Sequence, residues 1–299
     1  MNKNFEEYLV YISGLKNYSE NTLLAYKNNL CLFEKWLEEN EENVFLLTGQ
    51  DILSFIASLS YKNFSPATVN QILSTIRGFY DFAVRFKMCD LNPTDTVKNI
   101  KLNQNIPDFL FTDEMIAFCN SPNENQKLWE KRDKALFASL YSTGCRVSEL
   151  ISLNVKDLAN DFTSAIVWGK GNKERKVFFA QFSVRFLKDY LIEREQILKT
   201  FQKKENALFI NRRGNRLTVR GVQYIINRYA EFTGTYKRIS PHTFRHSFAS
   251  TLLAKGMDIR IVQELLGHAS ISTTQKYTHV TSEQLRNLYR DAHPHGKTK

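Results

Sequence analysis

Long apolar runs are missing from this chain of 299 residues. No stretch approaches the ~20 consecutive apolar residues that span a bilayer, so no membrane partner is expected. The opening "MNKNFEEYLV" lacks a basic segment followed by an apolar one, so no signal peptide is expected either. Cysteine is scarce: four residues, at 31, 89, 119 and 145, with no CxxC pair. That argues against a zinc centre or a disulfide framework and suits a reducing, cytoplasmic compartment. There is no GxxxxGK[ST] phosphate loop, no cluster of carboxylates that calls for a metal, no internal repeat and no low-complexity tract. No metal and no cofactor are therefore expected.

What is present is positive charge, unevenly spread. The chain holds 41 Lys+Arg against 31 Asp+Glu, a net +10. Residues 1–98 carry 9 basic and 12 acidic residues, net −3, whereas residues 99–299 carry 32 and 19, net +13. The second part supplies the whole surplus and suits a polyanionic partner. If the first part also touches a polyanion it must use one face, because "EENEEN" (38–43) is a poor phosphate ligand.

Residues 1–98 read as helices throughout. "SENTLLAYKNNLCLFEKWLEEN" opens on Ser19 and keeps Leu23, Tyr26, Leu30, Phe33 and Leu37 on one side. Short helices with short connections predict a compact bundle. The periodicity fails over 92–112, where two prolines and several polar residues intervene. The expected division is 1–98, a linker at 99–110, and a second domain at 111–299. In that domain "TSAIVWGKGNKERKVFFA" places two β-rich runs around a Gly-Asn turn and predicts a hairpin. The remainder reads mostly as helix: Thr218 and Asp258 are cap residues, and Gly267 is a stop. The fold class is mainly α with a small antiparallel β-sheet.

Several polar residues sit where a core helix does not need them. "TGCRVSEL" puts Arg146 at a helix start, a mildly unfavourable place for a cation without an anion to bind. "GKGNKER" sets Lys170 and Lys173 about a tight turn. "SPHTFRHSFASTLLAKG" opens a helix with His242 and Arg245, three apart on one face. "LLGHASISTTQKYTHV" puts His268 after a helix-ending glycine and Tyr277 nine residues on. Singly, each residue also suits a plain role as a surface cation, a cap or a packing ring. Jointly they describe one chemistry. Two guanidinium groups can hold a phosphodiester, and histidines can bond to it and move a proton. A lysine can protonate a leaving alkoxide, and a phenol oxygen can attack phosphorus and keep the bond energy in a covalent link.

These motifs resemble the tyrosine recombinase (phage integrase) family, and most closely its Xer subgroup. Arg146, Lys170, His242, Arg245, His268 and Tyr277 match the family's six catalytic positions in order and with similar spacing. The tail "YRDAHPHGKTK" and the first 98 residues fit the same subgroup. The resemblance implies an N-terminal SAM-like core-binding domain and a C-terminal tyrosine-recombinase catalytic domain. It implies Arg146, Arg245 and His268 on the scissile phosphate, Lys170 as general acid, His242 assisting proton transfer, and Tyr277 as the nucleophile that forms a 3′-phosphotyrosine. The implied partners are a double-stranded DNA recombination site and a second Xer recombinase in a homo- or hetero-tetramer, with a DNA translocase as a further candidate. The implied role is resolution of chromosome dimers during segregation. The alternatives are the integrase of a mobile element, a type IB topoisomerase and a non-catalytic DNA-binding protein. Candidate DNA ligands are Lys173 and Arg175 on the hairpin, Arg216 and Arg220 around the helix from Thr218, and Arg77 with Thr68, Asn70 and Gln71 in the first domain. Residues 282–292 are a candidate exchange segment that docks on a neighbour. Cys145, beside Arg146, is expected to be a small buried residue and not a nucleophile.

Overall fold

The computed structural model describes residues 1–15, 18, 20–102, 110–122, 129–169, 174–233, 239–267, 286–289 and 292. The chain divides into two units, Met1–Asn105 and Ile106–Lys299.

Among the described residues of the first unit are four helices: α1 (Lys3–Leu15), α2 (Glu20–Glu39), α3 (Gly49–Tyr61) and α4 (Pro66–Arg85). Local chemistry starts two of them. The Thr48 N–H donates to the Asp51 carboxylate ahead of α3, and Ser65 accepts the Thr68 N–H with Pro66 in the first turn of α4. Ser19, the expected cap of α2, lies outside the described residues. The core is aromatic: Phe5, Phe33, Phe55 and Phe79 are buried, and Phe5 meets Phe79 edge-on at 4.7 Å.

The chain after α4 folds back along it. The Asn70 amide donates to the Ile100 carbonyl at 2.9 Å and accepts its N–H at 2.8 Å. Arg77, two turns further along the same helix face, donates to the Val97 carbonyl at 3.0 Å. Two side chains expected on DNA thus satisfy the backbone of 97–100, which has no ladder partner of its own. Thr68 is likewise engaged with its cap Ser65, while Gln71 is exposed.

The second unit comprises α5 (Thr112–Asn120), α6 (Glu130–Thr143), α7 (Val147–Ser152), β1 (Ser164–Trp168), β2 (Glu174–Phe178), α8 (Gln181–Thr200), α9 (Val219–Phe232), α10 (Pro241–Ala254) and α11 (Ile259–Leu266). Every residue of α6 from Ala135 to Thr143 is buried, so this helix is the spine of the unit. The strands pair antiparallel in the expected hairpin, from Ser164 opposite Phe178 to Trp168 opposite Glu174. Ala165 and Val167 face the core while Ile166 and Trp168 face out. Leu110, inside the expected linker, is buried in this core and exchanges hydrogen bonds with the Ser247 hydroxyl. Thr218 and Asp258 cap α9 and α11 as expected, and Gly267 closes α11 at φ 67°.

A helical turn at 286–289 lies on this unit. Tyr289 is buried, its hydroxyl donates to the Ser142 carbonyl at 2.9 Å, and its ring meets Phe178 and Phe248. Among the described residues no helix is long and apolar enough to cross a membrane.

Candidate active site

Gly144 is the point from which the site is built. It ends α6 in the left-handed region at φ 58°, and a Cβ there would lie 2.4 Å from the Phe248 ring. Only glycine meets both demands. The reversal delivers Arg146 to the N-cap of α7, as its place in "TGCRVSEL" implied.

Arg146 does not stand alone there. Its backbone N–H donates to Glu149 Oε2 at 2.9 Å and its Nη1 donates to Oε1 at 2.8 Å. This is the capping-box geometry of an acid at the third helical position. Glu149 is only 5% exposed, and Arg175 from β2 approaches the same carboxylate with both terminal nitrogens, at 3.0 and 2.8 Å. Burial by itself would raise the Glu149 pKa, but the bonds from Arg175 and Arg146 outweigh it and hold the carboxyl below its ordinary value.

Arg245, in the second turn of α10, joins this group from 99 residues further along the chain. Its Nη1 donates to the Gly144 carbonyl at 2.8 Å and its Nη2 to the Leu266 carbonyl at 2.7 Å. Burial first, and then the positive charges of Arg146 and Arg175, push its pKa down to about 10. Among the described residues these three guanidinium groups have one carboxylate, Glu149, between them, which leaves two positive charges uncompensated near the N-terminal ends of α7 and α10. An arriving anion relieves that repulsion. The bonds to Glu149 and to the two carbonyls engage one terminal nitrogen of Arg146 and two of Arg245, of the five N–H donors each guanidinium carries. Arg146 remains 39% exposed, within reach of a ligand.

His242 and His246 are both exposed, one turn apart on α10 and flanking Arg245 in sequence. Cys145 is fully buried and burial pushes its thiol up to about 11, which keeps it protonated and unreactive. Lys170, Lys173, His268 and Tyr277 lie outside the described residues.

The candidate DNA ligands fare differently. Arg175, a candidate DNA ligand on the hairpin, is turned inward, 13% exposed, and pairs with Glu149. Arg216 donates to the carbonyls of Ile151 and Leu153 and to the Asn154 side chain, so its fork ties down the segment after α7. Arg220, in the first turn of α9, is exposed. Glu149 is the residue that sequence reasoning missed. Its spacing of three from a helix-start residue was the available signal.

The Phage integrase family matches residues 109–284, and its N-terminal SAM-like domain matches residues 5–87. The chain is 52% identical to the tyrosine recombinase XerC of Treponema denticola, over 99% of this chain and all of that protein. It is 38% identical to the XerC of Leptospira interrogans, over 99% of this chain and 95% of that one. Among solved structures, XerH bound to a palindromic difH substrate after cleavage aligns with a TM-score of 0.69 at 26% identity, over 91% of this chain and 80% of that one. A lambda integrase dimer on a core site aligns with a TM-score of 0.70 at 17% identity, over 89% and 94%, a likeness of fold. Two family domains in order and kinship along the whole of the chain agree: the chain belongs to the phage integrase family of tyrosine recombinases.

Proposed function

We propose that this protein is a site-specific recombinase that breaks and rejoins DNA through its own tyrosine, and that it resolves chromosome dimers in the cytoplasm. The observation that carries the reading is the convergence of Arg146 and Arg245. The two residues come from distant motifs and share the turn at Gly144, with two uncompensated positive charges.

A phosphodiester seated there has its non-bridging oxygens held by Arg146 and Arg245, with His268 as a third donor. The Tyr277 oxygen attacks phosphorus while its proton leaves with the help of His242. The bond from phosphorus to the 5′-oxygen breaks, and Lys170 supplies the proton that this oxygen takes up. The 3′-phosphotyrosine keeps the energy of the broken bond, so a 5′-hydroxyl from the partner strand attacks it in the reverse sense. Neither ATP nor a metal enters the balance. The preorganised arginines act on charge that develops in the transition state.

Recombination joins two sites, which calls for a tetramer, homomeric or with a second Xer recombinase, and a DNA translocase is a candidate controller. The segment at 282–292 is the proposed exchange element. Within its own chain Tyr289 is seated on Phe178, Phe248 and the Ser142 carbonyl, and the same seat is the proposed receptor for the residue from a neighbour.

A suicide substrate carrying a nick beside the cleavage position tests the reading. The wild type is expected to become covalently joined to DNA at Tyr277, and Tyr277→Phe to bind DNA without forming the adduct. An adduct surviving that change would remove Tyr277 from its role. Mapping the junction on chromosomal sites and on mobile-element ends separates dimer resolution from element integration.

A further inference from the structure

Arg175 is the basic residue of "GKGNKER" that DNA contact does not explain. It is 13% exposed, and each nitrogen of its guanidinium donates to a protein acceptor. The terminal pair grips Glu149 end-on, and Nε donates to the Leu265 carbonyl at 3.1 Å. Glu149 in turn accepts four hydrogen bonds, two on each oxygen, from Arg175 and from the backbone and side chain of Arg146. A Cβ at Gly267 would stand 2.9 Å from the Arg175 Cδ, so the backbone itself closes over the stem of this side chain.

We infer that Arg175 is a positioning residue of the cleavage pocket, holding Glu149 so that Glu149 presents Arg146, while pinning the end of α11 three residues before His268. One side chain thereby ties together three stretches of the site. It stands in the strand five residues after Lys170, and it bonds the carboxylate that orients Arg146. It also bonds the last turn of the helix that leads to His268. Arg245 performs the neighbouring tie, from Gly144 to Leu266, so consecutive carbonyls at the end of α11 are held by two arginines. The chemistry demands arginine in particular. A lysine offers a point charge that can meet Glu149 or the Leu265 carbonyl, whereas the planar fork meets both at fixed angles. Without Arg175, Glu149 is left to Arg146 alone. The pair then closes on itself, and the guanidinium is drawn from where the phosphate needs it.

The inference rests on the proposed recombinase chemistry, and the experiment keeps the two apart. Wild type, Arg175→Lys, Arg175→Gln and Glu149→Asp are compared for melting temperature, for DNA affinity across a salt series, and for single-turnover cleavage of the suicide substrate. Absence of cleavage by the wild type defeats the functional reading itself. With wild-type cleavage present, both Arg175 variants are expected to cleave about 10²-fold more slowly, the usual cost of misplacing a reacting group. Their affinity and salt slope should match the wild type. Glu149→Asp, too short to reach both arginines, should show the same pattern. Combining Arg175→Lys with Glu149→Asp should cost little more than the worse single change, as residues acting in series do. A full cleavage rate in Arg175→Lys or in Glu149→Asp overturns the inference. So does a salt slope that falls by about one in Arg175→Gln with rate and affinity falling together, which marks a phosphate ligand. Additive penalties in the double variant also overturn it, and these are read from Glu149→Asp and its combination even if Arg175→Gln folds poorly.

Discussion

Arg146 and Arg245 differ in what their neighbours ask of them, and their variants should differ accordingly. Arg245 spends two donors on backbone carbonyls and burial lowers its pKa, so lysine cannot stand in for it. Arg245→Lys and Arg146→Ala are each expected to slow single-turnover cleavage by roughly 10²-fold or more, as loss of a preorganised charge-stabilising donor does. Melting curves of Arg146→Ala should stay near the wild type, because that side chain is 39% exposed. Glu149 sets a pH dependence of its own. Its carboxyl is held below the ordinary value by Arg175 and Arg146 against the opposing effect of burial. A depressed folded-state pKa contributes stability that is fully present above the unfolded value of about 4.3 and is lost as pH falls through the lowered folded value. The gap in melting temperature between wild type and Glu149→Gln should therefore be constant near neutral pH and shrink on acidification below about pH 4. A gap that widened in acid would contradict the assigned ionisation.

Between elements, the decisive joint is the turn from α6 into α7. Gly144 is left-handed, packs against Phe248 and lends its carbonyl to Arg245. Gly144→Ala should cost about 1–3 kcal/mol from the left-handed backbone and the overpacked ring, read by chemical denaturation. It should also slow cleavage, since the same movement displaces both arginines. The hairpin shows how element geometry reassigns residues. Alternation along β2 sends Val177 inward, and Arg175, which the same period places on that face, meets Glu149. In the first unit, Asn70 and Arg77 on α4 are likewise occupied with backbone at 97–100. Among the described residues, Arg220 and Gln71 remain exposed candidates for DNA contact.

For the whole molecule, charge and the tail carry the expectations. With a net of +13 over residues 99–299 against −3 over residues 1–98, most of the phosphate contact is expected from the second part. DNA affinity should fall steeply and linearly in log–log form with salt. The tail turn is seated by Tyr289 on Phe178, Phe248 and the Ser142 carbonyl. A chain ending at residue 280 should still bind a single DNA site but fail to bring two sites together, measured as loss of the tetrameric complex in native gels. Persistence of that complex would remove the exchange role from the tail.

Apolar periodicity, cap residues and glycine stops were enough to read the helices, the hairpin and the two-part division, because these are properties of neighbours in the chain. The match of six motif positions was legible for the same reason: each motif is short, and its residue types have few uses together. Partnership was not legible. Glu149 sits one helical turn from Arg146 in the sequence, yet its second arginine comes from a strand 26 residues on. Arg175, Arg216 and Arg77 each look like surface cations until the fold brings a carboxylate or unsatisfied carbonyls to them. A guanidinium takes whichever anion or carbonyl lies nearest, and nearness across the chain is decided only when the core has packed. The amino-acid order therefore determined which family chemistry to expect of this protein, and the tertiary structure decided which arginines are tied to protein carboxylates and carbonyls.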